Sequence, residues 1–471
     1  AFPQNIRAPP RPKSLRLCAF PFGIPAHLIY NRAYVWGETQ PVMATARYTL
    51  AERFGYLARK VKTSRIVAPR TEEDRNMRWL YLNTALVGVP SGGIVAFLPV
   101  FLARLGVSST VMSWFTALPA LLTIAAMFPG AMVAERNADQ VAVRCKYMRI
   151  QRTGFLVCAL APFLVPTAYL PAVLIVVWMI RTFPETVAIP AWTSVMSRAV
   201  SPQMRPVLNG TRWAMLSLVS ALSSAFFGWM LDHVAFPLNY QLVFFISFVV
   251  GWFDPVAFAR IVVPPLEVLQ SDARLSLKQR LRDYVQPIIE YKPFLVYLAA
   301  TIGYRLALNL PAPLFSLYWV NQLHAPDTLI GLRGTVGNGA LVLGYLFWGR
   351  IARKIGHRKV LTFAALGFAL YPIATALIPS AIWLLAVAVI WGLTVGGIDV
   401  GLFDMMLHFC PQQRQPRFAA VYQIVANLAI FVGPLLGAAL ARATSINAAL
   451  IIAGAAQIVM TIPFLVLPKD V

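Results

Sequence analysis

One pair of ionisable residues lies in the middle of an apolar segment. Arg181 and Glu185 are four residues apart, so a helix would place them on one face. A charged side chain at the middle of a bilayer costs several kcal/mol unless it faces a partner or a water-filled cavity, so these residues are candidates for solute binding or proton transfer. An internal ion pair that neutralises both residues is an equally supported interpretation.

Three more polar residues interrupt apolar segments further along the chain. Arg305 lies deep in one such segment, and Asn309 follows it by four residues. Asp399 lies in another segment, where it could carry a proton or neutralise Arg305. Together with Arg181 and Glu185, these residues are the candidates for substrate binding and coupling.

Other charged and aromatic residues lie nearer the ends of apolar segments. Long side chains can reach the polar interface from such positions at little cost, so we expect structural roles for Asp254, Asp404, Arg212 and Arg333. Tryptophans could line a cavity, but they are also typical of membrane interfaces. We therefore assign most of Trp178, Trp192, Trp319 and Trp391 to interfacial belts.

The sequence contains no pattern typical of an enzyme or of a cofactor site. The four cysteines and five histidines are scattered, without a CxxC pair or metal-ligand spacing. A Walker A motif is also missing from the sequence. We therefore predict a non-enzymatic protein with no metal and no cofactor.

The chain as a whole is too apolar for an ordinary soluble protein. Of its 471 residues 58% are hydrophobic and only 13% are charged, whereas soluble domains carry about 25% charged residues. Many apolar runs reach the roughly 20 residues that a helix needs to cross a bilayer. The sequence therefore predicts an all-α polytopic membrane protein with twelve transmembrane helices. The predicted spans are 79–103, 109–132, 152–169, 171–197, 207–230, 239–259, 293–321, 328–348, 360–378, 380–407, 416–440 and 446–467.

Basic residues are concentrated in alternate loops, as the positive-inside rule requires of cytoplasmic loops. This pattern accounts for the net charge of +23 without a nucleic-acid partner. It predicts that both termini are cytoplasmic, and we expect a bacterial inner (plasma) membrane. The basic loops carry Arg136, Arg144, Lys146, Arg149, Arg198, Arg205, Arg274, Lys278, Arg280, Arg282, Arg350, Arg353, Lys354, Arg358, Lys359, Arg414 and Arg417, against Arg104 and Arg442 in the other loops.

The segments outside the spans are basic and partly amphipathic. Residues 50–61 and 277–288 place apolar side chains at helical spacing beside basic ones, which predicts helices on the cytoplasmic membrane surface. Residues 1–42 are rich in proline and arginine, so we hypothesise that Met43 is the native start, although a disordered basic tail fits equally well. The predicted organisation is a basic segment 1–76, an N-terminal six-helix bundle 77–259, a linker 260–292 and a C-terminal six-helix bundle 293–471.

The two halves of the chain repeat in parallel. Gln322–Ala325 corresponds to Arg104–Val107 at an offset of 218 residues, and Gly349–Lys354 corresponds to Ala131–Arg136 at the same offset. Six spans, a basic linker and six more spans imply two similar bundles around a pseudo-twofold axis along the membrane normal.

The later of these loops carries a family resemblance. Gly349–Val360 is similar to the loop motif of the major facilitator superfamily, roughly G-x-L-A-D-R-x-G-R-R/K, which the family places between spans two and three and again between eight and nine. This copy keeps Gly349, Gly356 and the basic pair that begins at Arg358, but it has Arg353 in place of the acid.

The earlier copy departs from the motif in the opposite way. Glu135 and Arg136 match, whereas Ala131 and Ala138 replace the two glycines. Glycine suits these positions where backbones approach closely. The resemblance implies that the loops gate conformational change, with the acid steadying one access state.

The resemblance covers about residues 77–467 and implies a fold of two bundles that transports solutes by alternating access. In the family, spans one, four, seven and ten line the central cavity, which makes Arg305 the favoured substrate-facing residue and Asp399 its acidic counterpart. We predict a proton-coupled secondary transporter of a small solute, with Glu185 or Asp399 as the proton carrier. Its partners would be the solute, the lipid bilayer and protons, and we expect a monomer.

Two alternatives remain open from the sequence. Arg181 and Arg305 favour an anionic or carboxylate-bearing solute, unless the two acids cancel them, and multidrug export is the competing substrate class. A sensor, assembly factor or complex subunit that keeps the fold without transport is the second function class. A membrane-embedded enzyme is a weaker third.

Overall fold

Twelve long helices make up the part of the chain that the computed structural model describes, namely residues 69–265, 286–411 and 415–467. No strand occurs in these three ranges. Met43 and the predicted surface helix over 50–61 lie outside them, as does most of the predicted linker helix. The helices are α1 (Glu72–Arg104), α2 (Ser109–Glu135), α3 (Gln140–Leu164), α4 (Leu170–Ala199), α5 (Arg205–His233), α6 (Leu238–Phe258), α7 (Lys292–Gln322), α8 (Asp327–Ile355), α9 (His357–Leu377), α10 (Ala381–Phe409), α11 (Gln415–Ala443) and α12 (Ile446–Val466).

Eleven of these helices are long and apolar enough to cross a membrane, which confirms the predicted polytopic architecture. The exception is α3, which begins at Gln140 and not at residue 152 as the sequence predicted. The prediction was wrong because Arg144, Lys146 and Arg149 were assigned to a loop. They continue the helix instead, and Arg152 on the same helix forms an ion pair inside the bundle.

Side-chain caps and helix breakers fix the ends and bends of the helices. The hydroxyl of Ser108 accepts the Val111 N–H at 3.3 Å and starts α2, and the carboxylate of Asp139 accepts the Ala142 N–H at 2.9 Å and starts α3. The first helix is interrupted at Gly93, and α7 is interrupted around Pro311. Each of these two helices therefore has an upper and a lower half.

The repeat in the sequence reappears as a repeat in helix packing. Within α1–α6, helix α1 packs on α5 and α6, and α4 packs on α2 and α3. The corresponding helices of the second half make the same contacts: α7 packs on α11 and α12, and α10 packs on α8 and α9. We call α1–α6 the N-terminal bundle and α7–α12 the C-terminal bundle.

The two bundles are joined through α5 against α8 and α2 against α11. All the hydrogen bonds and the ion pair between bundles that the described residues form lie at one end, which carries Arg104 and Asp327. We call this the closed end and the opposite end, which carries Gly356, the open end. The charge pattern predicts that the closed end faces away from the cytoplasm.

Small residues let α5 and α8 approach closely at the closed end. A Cβ atom on Gly331 would overlap the carbonyl oxygen of Ser224, and one on Gly228 would overlap the carbonyl oxygen of Asp327. The Ser224 hydroxyl donates to the Gly331 carbonyl at 3.1 Å across this crossing. At this crossing the bundles are thus held by close backbone contact and a few polar bonds.

Candidate functional site

A cavity of about 470 Å³ lies where the C-terminal bundle faces the N-terminal bundle. Helices α7, α8, α9 and α10 supply most of its wall, and the rest comes from Ala96, Phe97 and Pro99 of α1 and Ser224 of α5. This volume falls within the range of pockets that hold small organic ligands. The polar side chains in its wall are Ser224, Ser316, Arg333, Tyr371 and Asp399.

Asp399 is the predicted coupling residue that lines this cavity. The hydroxyl of Tyr345 on α8 donates to its carboxylate at 2.8 Å, and the Asp399 side chain is exposed to the cleft. No ion pair within the described ranges involves Asp399, although its charge is within electrostatic range of Arg305. Asp399 is therefore a carboxylate with a neutral hydrogen-bond partner and access to solvent.

Arg305, the favoured substrate-facing residue, lies beside the cavity and not in its wall. Its guanidinium donates to the Tyr422 hydroxyl at 2.5 Å and sits 4.9 Å from the centre of the Tyr422 ring. Asn309 donates back to the Arg305 carbonyl at 2.7 Å and packs against Gly433 of α11. Asn309 thus lies at a helix contact, and Arg305 bonds to a tyrosine and forms no ion pair with Asp399 within the described ranges.

Sequence analysis missed the cation that does line the cavity. Arg333 lies on the second turn of α8, near the closed end, and its guanidinium is surrounded by Trp319 at 4.6 Å, Trp391 at 5.3 Å and Tyr371 at 5.7 Å, measured to the ring centres. It donates to the Tyr371 hydroxyl at 2.6 Å. Arg333 does lie near the end of its span, as predicted. Its side chain, however, lines the cavity and does not extend to the membrane interface.

The tryptophan assignment also needs correction. Trp319 and Trp391 line the cavity, and Trp178 is buried in the N-terminal bundle. Their rings stack on cations, since Arg181 lies 3.5 Å from the centre of Trp178 and Arg212 lies 5.1 Å from the centre of Trp192. Trp178 and Arg181 are three residues apart on α4. Trp319, Arg333 and Trp391 come from α7, α8 and α10, so no sequence spacing could have revealed that grouping.

Arg181 and Glu185 form the internal ion pair that the sequence left as one of two interpretations. The guanidinium and the carboxylate are 2.8 Å apart, with Arg181 almost buried and the Glu185 side chain 44% exposed. Gly154 of α3 leaves room for the stem of Arg181. Neither charged residue belongs to the wall of the cavity described above.

A second ion pair lies deeper in the same bundle. Arg152 contacts Asp254 at 2.7 Å, with side-chain exposures of 5% and 1%. Asn83 of α1 also donates to the Asp254 carboxylate. Arg212 donates to the Thr84 hydroxyl at 2.8 Å. Asp254 and Arg212 therefore have the structural roles that the sequence predicted. The expected reason was wrong for Asp254, because its carboxylate is buried between helices and does not reach the interface.

The loop between α8 and α9 consists of Gly356 alone. Its φ of 84° and ψ of 156° lie in a region that only glycine adopts without strain. Arg358 donates to the carbonyls of Leu465 at 3.3 Å and Leu467 at 2.6 Å, so it caps the end of α12. Gly349 does not fit the predicted close approach, because a Cβ atom there would meet nothing within 4 Å.

The matching loop of the N-terminal bundle is built differently. Four residues separate α2 from α3, and Ala138 adopts no positive φ there. Arg136 is exposed at the end of α2, and the side chain of Glu135 lies outside the described atoms. In the C-terminal bundle, where Arg353 replaces the motif's acid, Nδ1 of His357 lies 2.8 Å from a carboxylate oxygen of Asp404 on α10. A neighbouring helix thus supplies an acid to this loop.

Within the described ranges, no group of three or more histidine, cysteine, aspartate or glutamate residues could hold a metal ion. Instead, the polar groups of the cavity are a carboxylate, a guanidinium and hydroxyls. They suit the binding of a solute by hydrogen bonds and charge.

Comparison with known families gives one match. Residues 294–471, which correspond to the C-terminal bundle, match the family model described as Major Facilitator Superfamily. Comparison with curated proteins finds none that matches the chain.

Solved structures resemble the chain over a larger part of its length. A nucleoside transporter, NupG, is 11% identical with a TM-score of 0.64, over 83% of this chain and 100% of its own. A POT family transporter in complex with 5-aminolevulinic acid is 14% identical with a TM-score of 0.63, over 83% of this chain and 96% of its own. A bacterial homologue of the iron transporter ferroportin, in an inward-facing state, is 13% identical with a TM-score of 0.60, over 83% and 98%. At these identities the likeness establishes the fold alone.

Proposed function

We propose that this chain is a member of the Major Facilitator Superfamily, whose family model matches residues 294–471, and that it is a secondary active transporter that moves a small solute by alternating access between its two bundles. The observation that carries the proposal is the placement of the cavity: it lies between bundles that are bonded to each other only at the closed end, within the ranges described. A solute can therefore reach it from the open end. Rocking of the bundles would expose the same cavity to the other side.

The bonds at the closed end are of a kind that can be broken in such a movement. Arg104 of the N-terminal bundle forms an ion pair with Asp327 of the C-terminal bundle at 3.1 Å and also donates to the Ala325 carbonyl at 2.7 Å. Asp232 accepts the backbone N–H groups of Asp327 and Thr328 at the start of α8. Water can replace each of these partners when the end opens, because opening would expose the polar groups to solvent.

Asp399 is our favoured proton carrier. It lines the cavity, is exposed to the cleft and has a neutral partner in Tyr345. Glu185, the other predicted carrier, already has Arg181 as a charged partner, so protonating it would break an ion pair. Proton binding at Asp399 would remove a negative charge from the wall of the cavity and so change its affinity for a charged solute.

Reconstituted liposomes with an imposed pH gradient test this function. Solutes of several chemical classes are added while the internal pH is followed with a trapped dye. At least one class should accelerate proton flux in the native protein, and Asp399→Asn should abolish that acceleration while leaving exchange of labelled solute across the membrane. Glu72→Gln is the control, because this exposed acid lies outside the cavity wall.

The opposite results would exclude the proposal. If no solute class accelerates proton flux or exchanges across the membrane, a non-transporting sensor or complex subunit becomes the better assignment. If solute moves but Asp399→Asn still couples to protons, transport stands and Asp399 is not the carrier.

A further inference from the structure

Arg333 is the arginine in the cavity wall, and it has no acidic partner among the described residues. Arg305 beside the cavity also lacks an acidic partner, but it does not line the wall. Arg104, Arg152 and Arg181 each form an ion pair, whereas no ion pair within the described ranges involves Arg333. Its one described hydrogen bond goes to the neutral Tyr371 hydroxyl. A guanidinium has five N–H donors, so most of its hydrogen-bonding capacity is left for another partner.

The aromatic rings around Arg333 do not replace a counter-ion. Trp319, Trp391 and Tyr371 offer ring faces to the guanidinium, and each such contact is worth about 0.5–2 kcal/mol. Ring faces attract the cation, but they accept none of its in-plane N–H donors. The rings therefore fix the guanidinium as a flat plate whose edge is free to bind a planar anion such as a carboxylate.

The rest of the cavity indicates what the anion should be attached to. Phe315 and Phe368 join the two tryptophans in the wall, so a flat apolar body would be in contact with ring faces and edges. Asp399 lies on the open-end side of the same cavity and would repel a second negative charge. The volume of about 470 Å³ suits a small organic molecule.

We infer that the transported solute is an organic monoanion, with a carboxylate that binds Arg333 at the closed end of the cavity and an aromatic or other flat apolar body against the aromatic wall formed with Phe315 and Phe368. The inference rests on the proposed transport function and names its substrate class. The anionic group enters first from the open end, and the opposite end of the solute lies toward Asp399.

Three probes of one shape separate the contributions of charge and ring. Benzoate, benzamide and benzylamine carry an anionic, a neutral and a cationic group on the same ring. Titration of the purified full-length protein is followed by tryptophan fluorescence, because Trp319 and Trp391 line the cavity; Trp391→Phe identifies the reporting signal. Benzoate should bind about tenfold or more tightly than benzamide, as expected for a charge-assisted hydrogen bond, and benzylamine should bind most weakly.

Substitutions at Arg333 assign the preference to this side chain. Arg333→Gln should remove the preference for benzoate over benzamide. Arg212→Gln is the matched control, since Arg212 also stacks on a tryptophan but does not line the cavity, and it should leave the preference unchanged. Should Arg333→Gln fail to fold, Arg333→Lys serves instead: it should weaken benzoate binding about tenfold through loss of the planar fork and leave benzamide binding unchanged.

Several results would overturn the inference. These are equal or tighter binding of benzamide or benzylamine, a preference that survives Arg333→Gln, equal weakening of both probes by Arg333→Lys, or no saturable signal from any probe up to about 10 mM. Flux in liposomes is measured on the same preparations. Selective benzoate binding without movement of any solute refutes the transport function and not the anion site, whereas transport of neutral or cationic solutes unaffected by Arg333→Gln refutes only the substrate class.

Discussion

The two bundles stabilise their membrane-embedded charges by different means. In the N-terminal bundle, Arg152 pairs with Asp254 and Arg181 pairs with Glu185. In the C-terminal bundle the partners of the inner charged residues are tyrosine hydroxyls: Arg305 donates to Tyr422, Arg333 donates to Tyr371, and Asp399 accepts from Tyr345.

This difference indicates which bundle has charged groups available to bind a solute. In an ion pair each charge is neutralised by its partner. The paired charges of the N-terminal bundle therefore hold helices together and are not available to a solute. A tyrosine hydroxyl orients a charged group without neutralising it, so the C-terminal bundle keeps charges that a solute or a proton can use. The cavity is lined mainly by the C-terminal bundle, which agrees with this division.

Removing one member of the buried ion pair should have the largest effect. Arg152→Ala leaves Asp254 charged and buried, which should lower the free energy of unfolding by about 3–5 kcal/mol. Arg333→Ala in the C-terminal bundle should lower the free energy of unfolding by about 1–2 kcal/mol. It removes contacts with aromatic rings but leaves no opposite charge without a partner. Unfolding in mixed detergent micelles measures both.

The control for this experiment is the double variant Arg152→Met with Asp254→Leu, which removes both charges and should recover most of the lost stability. If Arg152→Ala costs no more than Arg333→Ala, the proposed difference between the bundles is wrong.

The loops that carry the family motif offer a second contrast. Gly356→Ala should destabilise the protein by about 1–3 kcal/mol, because the backbone there adopts angles that side chains oppose. Gly349→Ala should be neutral or stabilise by up to about 1 kcal/mol, since it fills open space on a helix. Thermal unfolding measures the stability of both variants. If Gly356→Ala changes stability no more than Gly349→Ala does, the turn at position 356 does not require glycine.

The closed end, where the bundles meet, should respond to loss of its ion pair. Arg104→Gln should shift the population toward opening of that end by about 1–2 kcal/mol, a factor of about 5–30. Spin labels at positions 236 and 383, which are exposed on opposite bundles, should then show a longer-distance population. Arg75→Gln, in the exposed Arg75–Glu72 pair, is the control and should leave the distances unchanged. A distance distribution unaffected by Arg104→Gln would refute the role of this pair.

The smallest stability effect should come from the tyrosine beside the proposed proton carrier. Tyr345→Phe removes one hydrogen bond from an exposed carboxylate that water can replace, so the cost should be below about 1 kcal/mol, while the number of protons moved per solute should fall. Tyr304→Phe is the control: no partner for its buried hydroxyl occurs among the described atoms, and it should change neither quantity. If Tyr345→Phe moves the same number of protons per solute as the native protein, Tyr345 does not contribute to the proton site.

Most of the fold was predictable because apolar length and loop charge act locally. Eleven of the predicted spans lie within a few residues of the helices, apart from extensions such as the start of α1 at Glu72 and the end of α8 at Ile355. The start of the third predicted span was wrong because a basic helix and a basic loop have the same composition. Only the tertiary partner of Arg152, which is Asp254 on a different helix, distinguishes the two.

The candidate site was predictable only in part. An isolated acid in an apolar segment is a strong signal in one dimension, and it identified Asp399. Arg333 gave no such signal, because its position near a helix end is compatible with snorkelling as well as with burial.

The sequence by itself determined the membrane class, the number of helices, the repeat and the resemblance to a transporter family, since each depends on hydrophobicity, charge and spacing along the chain. The tertiary structure alone decided which charges are consumed by ion pairs and which remain available in the cavity. That outcome depends on contacts between helices up to 223 residues apart, such as Arg104 with Asp327. Such contacts are set by packing direction, which local composition does not encode.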